Sequence, residues 1–563
     1  MDFKFYFTKR TFAMSILKKG GMVPNHLRIL FLGDSITDDG RYIAHIDYYI
    51  KKHLPNHSVE LINLGLNSET ASGLSEPDHP FPRPCIFDRI DRALEMAKPD
   101  WVTVCYGIND GIYYPYSEER MGAYQKGILN LIGKIKARGA KAIVMTPPIL
   151  DTVSFGGPML DENAEKFSWA QAYRGYNDVM KKYADWVLSD LRGVADRVVN
   201  IYGPMTAEYT ARRKNDPALK LGDGIHPDLW GHWIMARCLL GELFRLYPEY
   251  EPGYLKEETP AFGLVLKRHR LLSSAWKEAV GHSHRDKAKD ALPLDEAKAA
   301  AAELDNEILK TIVNEENDDR VDDWNGCVCR RFYCNGRVCT YIEPKEFAPG
   351  RPWVWRTEFL HAFETVDVEL VRRGWALCYY RVSNLFGCPE SVELMKIFHD
   401  EMVSRFGLSK TTVPFGFSRG GLYAVNYAAA YPKDVEALYI DAPVLDIRSW
   451  PGGLGIGDGS PFEFKDCLDV YGLNETSVRQ YKENPLDKAE ALAKAGIPVA
   501  LVAGDADTTV PYTENGKLFD EKYRRAGGKI LTIVKPGCGH HPHSLEDPTP
   551  VVEFLLEATG RKH

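Results

Sequence analysis

Four short motifs in the first half of the chain contain residue types that can activate a hydroxyl. Gly33-Asp34-Ser35-Ile36-Thr37 follows an apolar run at Leu27–Leu32. That spacing puts Ser35 just past the C-terminal end of an expected strand, where open α/β sheets bind their ligands. Asn63-Leu64-Gly65 follows a second apolar run, Gly107-Ile108-Asn109-Asp110 a third, and Asp223-Gly224-Ile225-His226-Pro227 comes some way downstream. A serine hydroxyl is a poor nucleophile until a base takes its proton. His226 is the expected base, and Asp223, three residues earlier, is placed to hold one ring nitrogen and fix the tautomer. Each motif alone has a plainer reading: a polar turn before a helix for G-D-S, a strand-end turn for Asn109, a helix cap before Trp230 for Asp223 and His226. Their joint presence in this order favours chemistry.

The second half holds another such set. Val413-Pro414-Phe415 leads into Gly416-Phe417-Ser418-Arg419-Gly420-Gly421, followed by a helical pattern. This is a G-x-S-x-G turn between strand and helix, which exposes Ser418 as a nucleophile. An apolar run at Val499–Ala503 ends in Gly504-Asp505-Ala506-Asp507, and Ile530–Val534 is followed by Gly537-Cys538-Gly539-His540-His541-Pro542-His543. Asp507 is the expected acid with Asp505 as its rival, and His540 is the expected base ahead of His541 and His543. The three histidines invite a metal reading, but no carboxylate or cysteine joins them at a familiar spacing, so none is expected.

Two series of elements must position these residues. In the first half, strands are expected at Leu27–Leu32, Val59–Leu64, Trp101–Cys105, Lys141–Met145 and Arg197–Ile201, with helices such as Met121–Ala137, Ser168–Leu191 and Trp230–Tyr247 between and after them. Such alternation makes a parallel sheet covered by helices. Leu264–Ala279 and Leu294–Val313 read as helices of an extension. Asn314–Asp323 is acidic and poor in apolar residues, the best boundary in the chain. Beyond it, Asn335-Gly336 predicts a tight hairpin. Strands follow at Trp353–Arg356, Trp375–Tyr380, Val413–Phe415, Ala437–Ile440, Val499–Val502 and Ile530–Val534, with helices at Ser391–Phe406 and Leu422–Ala430. The fold class is α/β, with two doubly wound domains. The expected divisions are an N-terminal extension at 1–26, a first domain at 27–250, a helical extension and linker at 251–315, and a second domain at 316–563.

The four motifs of the first half resemble the SGNH (GDSL-type) hydrolases, over roughly residues 27–240 and in its carbohydrate acetylesterase branch. The resemblance implies a flavodoxin-like three-layer sandwich and an oxyanion hole built from the Ser35 N–H, the Gly65 N–H and the Asn109 side-chain amide. Residues 324–560 resemble α/β-hydrolase-family serine esterases. That resemblance implies Ser418, Asp507 and His540 as the triad, and the N–H of Arg419 as one oxyanion donor. The second donor belongs near the end of Trp353–Arg356, at Trp355 or Arg356; the His-Gly pair of many lipases is missing there. Arg419 also resembles the arginine in the elbow of glucuronoyl esterases. It could meet the oxyanion or a uronate carboxylate, or form an ion pair at a helix start.

Bulk properties narrow the rest. Of 563 residues, 44% are hydrophobic and 26% charged, the balance of an ordinary globular chain with room for two cores. A net charge of -8 disfavours nucleic acid and anionic lipid as partners. No apolar run approaches a membrane span. Met1–Lys19 lacks a small-residue cleavage site, so no secretory signal is read. A cytoplasmic location is favoured, with secretion or the periplasm the alternative if the N-terminus was trimmed. The 11 cysteines are odd in number and scattered, as in a reduced compartment. Cys327, Cys329, Cys334 and Cys339 cluster but lack paired C-x-x-C knuckles, so zinc is not expected.

The chain is therefore expected to need no cofactor and to be a bifunctional serine esterase removing acetyl or other ester groups from plant cell-wall carbohydrates. The rivals are a lipid or acyl-thioester hydrolase, and a single active domain joined to a carbohydrate-binding or scaffolding module. The loop Glu76–Pro84 lies beside the second motif, and its aromatic and Arg content suits either a sugar pocket or a Pro-stiffened surface.

Overall fold

The computed structural model describes residues 26–249, 251–255, 259–315 and 319–561. All but His26 of the expected N-terminal extension falls outside them. The chain divides into two compact units, Met1–Glu316 and Asn317–His563. Among the described residues, no helix is long and apolar enough to cross a membrane.

The first unit is built on a five-stranded parallel sheet in the order β2-β1-β3-β4-β7. Its strands are β1 (His26–Gly33), β2 (Ser58–Asn63), β3 (Trp101–Cys105), β4 (Lys141–Met145) and β7 (Arg197–Val199); the two-residue strands β5 (Met159–Leu160) and β6 (Ala172–Tyr173) pair apart from it. The interior strand β1 is apolar on both faces, as a parallel strand between helical layers must be: Ile29 through Leu32 are fully buried. Ser168–Leu191, expected as one helix, is shorter: the helix spans Tyr176–Asp190, because the chain ahead of it forms β6 and a turn. The helices Pro260–Val280 and Leu294–Asn314 belong to this unit. Phe262, Val265 and Ile308 pack against Ala44 and Tyr48 of the helix Arg41–His53. His269 bonds Asp47 at 2.9 Å, and Asp305 pairs with Lys51 at 2.9 Å and Arg268 at 2.8 Å.

The second unit has a nine-stranded sheet in the order β16-β15-β14-β13-β11-β12-β10-β9-β8. Its edge is an antiparallel meander of β8 (Arg320–Trp324), β9 (Cys327–Cys334) and β10 (Arg337–Glu343). β12 (Ala376–Tyr380) is antiparallel to β10, and from there the sheet is parallel through β11 (Trp353–Arg356), β13 (Val413–Phe417), β14 (Leu438–Asp441), β15 (Val499–Gly504) and β16 (Ile530–Lys535). The reversal between β11 and β12 is the strand order of the α/β-hydrolase fold. Asn335 and Gly336 both have positive φ, +48° and +71°, as a tight hairpin between twisted strands requires. β8 draws on the last residues of the acidic segment Asn314–Asp323, within which the two units divide. Its residues are almost wholly exposed and join β9 through the backbone ladder and an Asp322–Arg331 ion pair, so they lack the apolar alternation that would announce a strand. Cys329 and Cys339 are buried and all 11 cysteines are free thiols; the four clustered ones form no metal-binding group among the described residues.

Candidate active sites

Ser35 opens the helix Ser35–Asp39 directly after β1. Asp34 caps that helix, its Oδ1 accepting the Ile36 N–H at 3.0 Å. Burial pushes the Asp34 carboxyl up to about 7, against the pull of the Ile36 N–H and His226. Ser35 Oγ stands 2.8 Å from His226 Nε2, and His226 Nδ1 stands 2.8 Å from Asp223 Oδ2. Asp223 Oδ1 also accepts the N–H groups of Ile225 and His226, so the loop that carries the base is wound around its own acid. Burial acts to raise the Asp223 carboxyl, but the His226 side-chain and backbone bonds outweigh it and hold it at about 2. Burial alone would lower His226; the hydrogen bond and charge of Asp223, helped by Asp34, hold it above its ordinary value.

The three expected oxyanion donors are placed differently. Ser35 is the first residue of its helix, where an N–H has no intrahelical acceptor. Asn109 lines the same cavity as Ser35 and His226. Its Oδ1 accepts from the Tyr113 hydroxyl at 3.1 Å and its Nδ2 reaches Glu69 O at 3.3 Å, leaving the second amide hydrogen for a ligand. Gly65 departs from the expectation. Its N–H donates to Asn63 Oδ1 at 2.8 Å, because Asn63 folds a turn over its own strand end. What demands glycine at 65 is crowding: a Cβ there would lie 2.3 Å from Asp38 N and 2.5 Å from Thr37 C.

The open cavity at Ser35 has a volume of about 240 Å³ and is lined by Trp169, Phe81, Tyr113, His79 and Ser68 as well as Ser35 and His226. Trp169 is 46% exposed, a large indole presented to solvent at the mouth of the site. The Glu76–Pro84 loop supplies Phe81 and His79. Its Arg83 is buried and spent on Glu76 through two bonds of 2.6 and 2.7 Å, so it offers no free charge. Trp169 went unremarked in the sequence because nothing near it marks a site.

In the second unit, Ser418 sits at the tip of the turn after β13 with φ +50°. That strained turn needs its glycines: a Cβ on Gly421 would lie 2.7 Å from Pro443 Cβ, and one on Gly416 2.9 Å from Ala424 Cβ. Ser418 Oγ is 2.9 Å from His540 Nε2, and His540 Nδ1 is 2.7 Å from Asp507 Oδ2. Asp507 Oδ1 accepts the N–H groups of Thr509 and Val510. The rival Asp505 instead accepts the Gly537 N–H and takes no part in the relay. Of the other histidines, His543 bonds Asp441 at 2.8 Å and His541 stacks on Phe363.

Two expectations for this unit change. Trp355 is not an oxyanion donor. It lies in register with Cys378 on one side and Pro414 on the other, so its backbone serves the sheet, and its buried indole stacks on Trp353. Arg356, the alternative, is likewise within the strand and its guanidinium is locked on Asp367. Arg419 keeps its place after the nucleophile, where its N–H at a helix start is open to an oxyanion. Its guanidinium forms the ion pairs: it lies 3.5 Å from Glu358 and 3.4 Å from Glu463, bonds Asn384 at 3.1 Å, and faces the Phe359 ring. With two carboxylates beside it, that charge is already balanced, which disfavours capture of a uronate. Glu358 is raised by its burial, opposed by Arg419.

Fold and geometry together define two α/β domains, each with a Ser–His–Asp relay: one similar to GDSL-like hydrolases, followed by one of α/β-hydrolase fold. Residues 31–234 match the GDSL-like Lipase/Acylhydrolase family. The acetylxylan esterase of Geobacillus stearothermophilus is 23% identical over 232 residues, 38% of this chain and 93% of that protein. Among solved structures, Est1E from Butyrivibrio proteoclasticus is 21% identical with a TM-score of 0.30, covering 44% of this chain and 100% of that one. Dipeptidyl peptidase 4 of Porphyromonas gingivalis is 14% identical with a TM-score of 0.32, covering 45% and 37%.

Proposed function

We propose that the protein is a two-site serine esterase acting on acylated carbohydrates, with the first unit removing acetyl groups. The observation that carries the two-site reading is that each unit holds a Ser–His–Asp relay at hydrogen-bond distances. In each, the serine Oγ attacks the ester carbonyl as its proton passes to the histidine Nε2. The aspartate on Nδ1 holds the ring and stabilises the imidazolium. The oxyanion of the first unit meets the Ser35 N–H and the Asn109 amide, that of the second the Arg419 N–H. Collapse expels the sugar hydroxyl, which takes the proton back from the histidine. Water then repeats the cycle to release the acid.

The carbohydrate reading rests on the walls of the first site. Trp169 and Phe81 offer flat apolar faces beside Ser35, suited to stacking on a pyranose ring, while Ser68 and His79 supply polar contacts. The small cavity suits an acetyl group better than a long acyl chain. The GDSL-like relative named acetylxylan esterase accords with this reading.

The test is release of acetate and methanol from a panel of plant polysaccharides by the parent, Ser35→Ala, Ser418→Ala and the double variant. Ser35→Ala is expected to lose most acetate release, and the double variant all turnover. Unchanged acetate release in Ser35→Ala, with Ser418→Ala inactive, would move the main activity to the second unit.

A further inference from the structure

His540, His541 and His543 form a cluster that hydrolysis alone does not explain. Their rings are mutually steep, with centroids 5.0, 4.9 and 4.9 Å apart and interplanar angles of 68°, 81° and 88°. One nitrogen from each falls within a 4.8 Å set. Three imidazoles around one zinc ion need nitrogens about 3.4 Å apart, so modest side-chain rotation closes the set.

Two of the three rings are already polarised for a metal. His540 turns Nδ1 to Asp507, whose other oxygen accepts two backbone N–H groups. His543 turns Nδ1 to Asp441 at 2.8 Å; Asp441 is fully buried and also accepts the Ser544 N–H and the Tyr439 hydroxyl. Each carboxylate faces the ring's Nδ1 and takes its hydrogen bond, which leaves Nε2 of both rings as the nitrogen turned toward a ligand. Carboxylate-backed histidines of this kind are the usual zinc ligands, since the carboxylate fixes the tautomer and raises basicity. His541 is exposed and no side-chain bond occupies its ring nitrogens among the described residues.

We propose that these three histidines form an inhibitory site for a borderline divalent cation, with Zn2+ the probe of choice, that switches off the second unit reversibly. The cation takes the His540 Nε2 lone pair. Ser418 then has no base for its proton, and no covalent chemistry is involved. The inference rests on His540 being that base, but metal binding is measured apart from turnover.

The turnover arm uses the full chain carrying Ser35→Ala, so that hydrolysis of p-nitrophenyl acetate reports Ser418. Micromolar Zn2+ is expected to lower the rate at least about tenfold and EDTA to restore it. His541→Ala, outside the relay, should keep the metal-free rate and need about 10–100-fold more Zn2+ for the same loss. The binding arm is titration calorimetry of Zn2+ into the Ser35→Ala, Ser418→Ala double variant, with and without His541→Ala. One strong site weakened by His541→Ala supports the proposal even if the second unit hydrolyses nothing, in which case only the esterase reading fails. Zn2+ binding and inhibition that ignore His541→Ala overturn the proposal, as does tight binding at this site with turnover intact.

Discussion

In the first unit, acid and base sit three residues apart on one loop, and their side chains are 63% and 40% exposed. In the second, they come from the ends of two strands 33 residues apart and are 1% and 12% exposed. The hydrogen-bond lengths match, but the means of holding them differ. Local winding places Asp223 against His226 with little help from packing, so water stands ready to replace it. Asp507 is held by the sheet and by two backbone N–H groups.

That contrast sets the size of expected effects. Asp507→Asn should lower kcat of the second unit about 10⁴-fold, as loss of a buried tautomer-fixing aspartate does; a loss below tenfold, read in a Ser35→Ala background, would make the burial irrelevant. Asn109→Ala should cost the first unit about 10²–10³ in kcat with little change in KM, if the amide is the oxyanion donor proposed for it. Asp223→Asn should cost the first unit only about 10²-fold, at the low end for a positioned acid–base partner. Equal losses for the two aspartates would erase the distinction drawn here.

The pH profile sharpens the same point. His226 must be neutral to accept the Ser35 proton, and it is held above its ordinary 6.5, chiefly by Asp223 once burial is overcome. Activity of the first unit in a Ser418→Ala background should therefore fall as pH drops, with a midpoint above 6.5, by about tenfold per unit below it. Asp223→Asn should shift that midpoint downward; an unmoved midpoint would assign the shift elsewhere. The smallest effect is none at all: dialysis against EDTA should leave both activities unchanged, because a Ser–His relay needs no Lewis acid.

The chemistry-bearing residues were the most legible part of the chain. Ser35 and Ser418 sit in turns whose glycines are dictated by close backbone approach, and such constraints are written in residue type. The parallel strands were legible too, as apolar runs bounded by turns. What escaped had both local and long-range causes. β8 lacks apolar alternation, and its hairpin signal, Asn325-Gly326 with both φ angles positive, sits inside an acidic stretch that reads as a boundary. Trp355 is separated from the end of its strand by too few residues for a sequence to tell ladder from loop. The Gly65 N–H is taken by Asn63, a choice of turn geometry. The ion pairs of Arg419 draw on Glu358 and Glu463, which no motif connects to the elbow.

The two helices Pro260–Val280 and Leu294–Asn314 bear on how the first unit could be excised. Ending the chain after Phe244, where the sheet and relay are complete, would strip Ala44 and Tyr48 of their apolar cover and leave Asp47 without His269 and Arg268. The shortened protein would keep every reacting atom and still carry an adhesive stripe along the helix Arg41–His53. Its shortfall would show first as self-association on a sizing column, and the natural stopping point for a stand-alone esterase lies beyond Asn314.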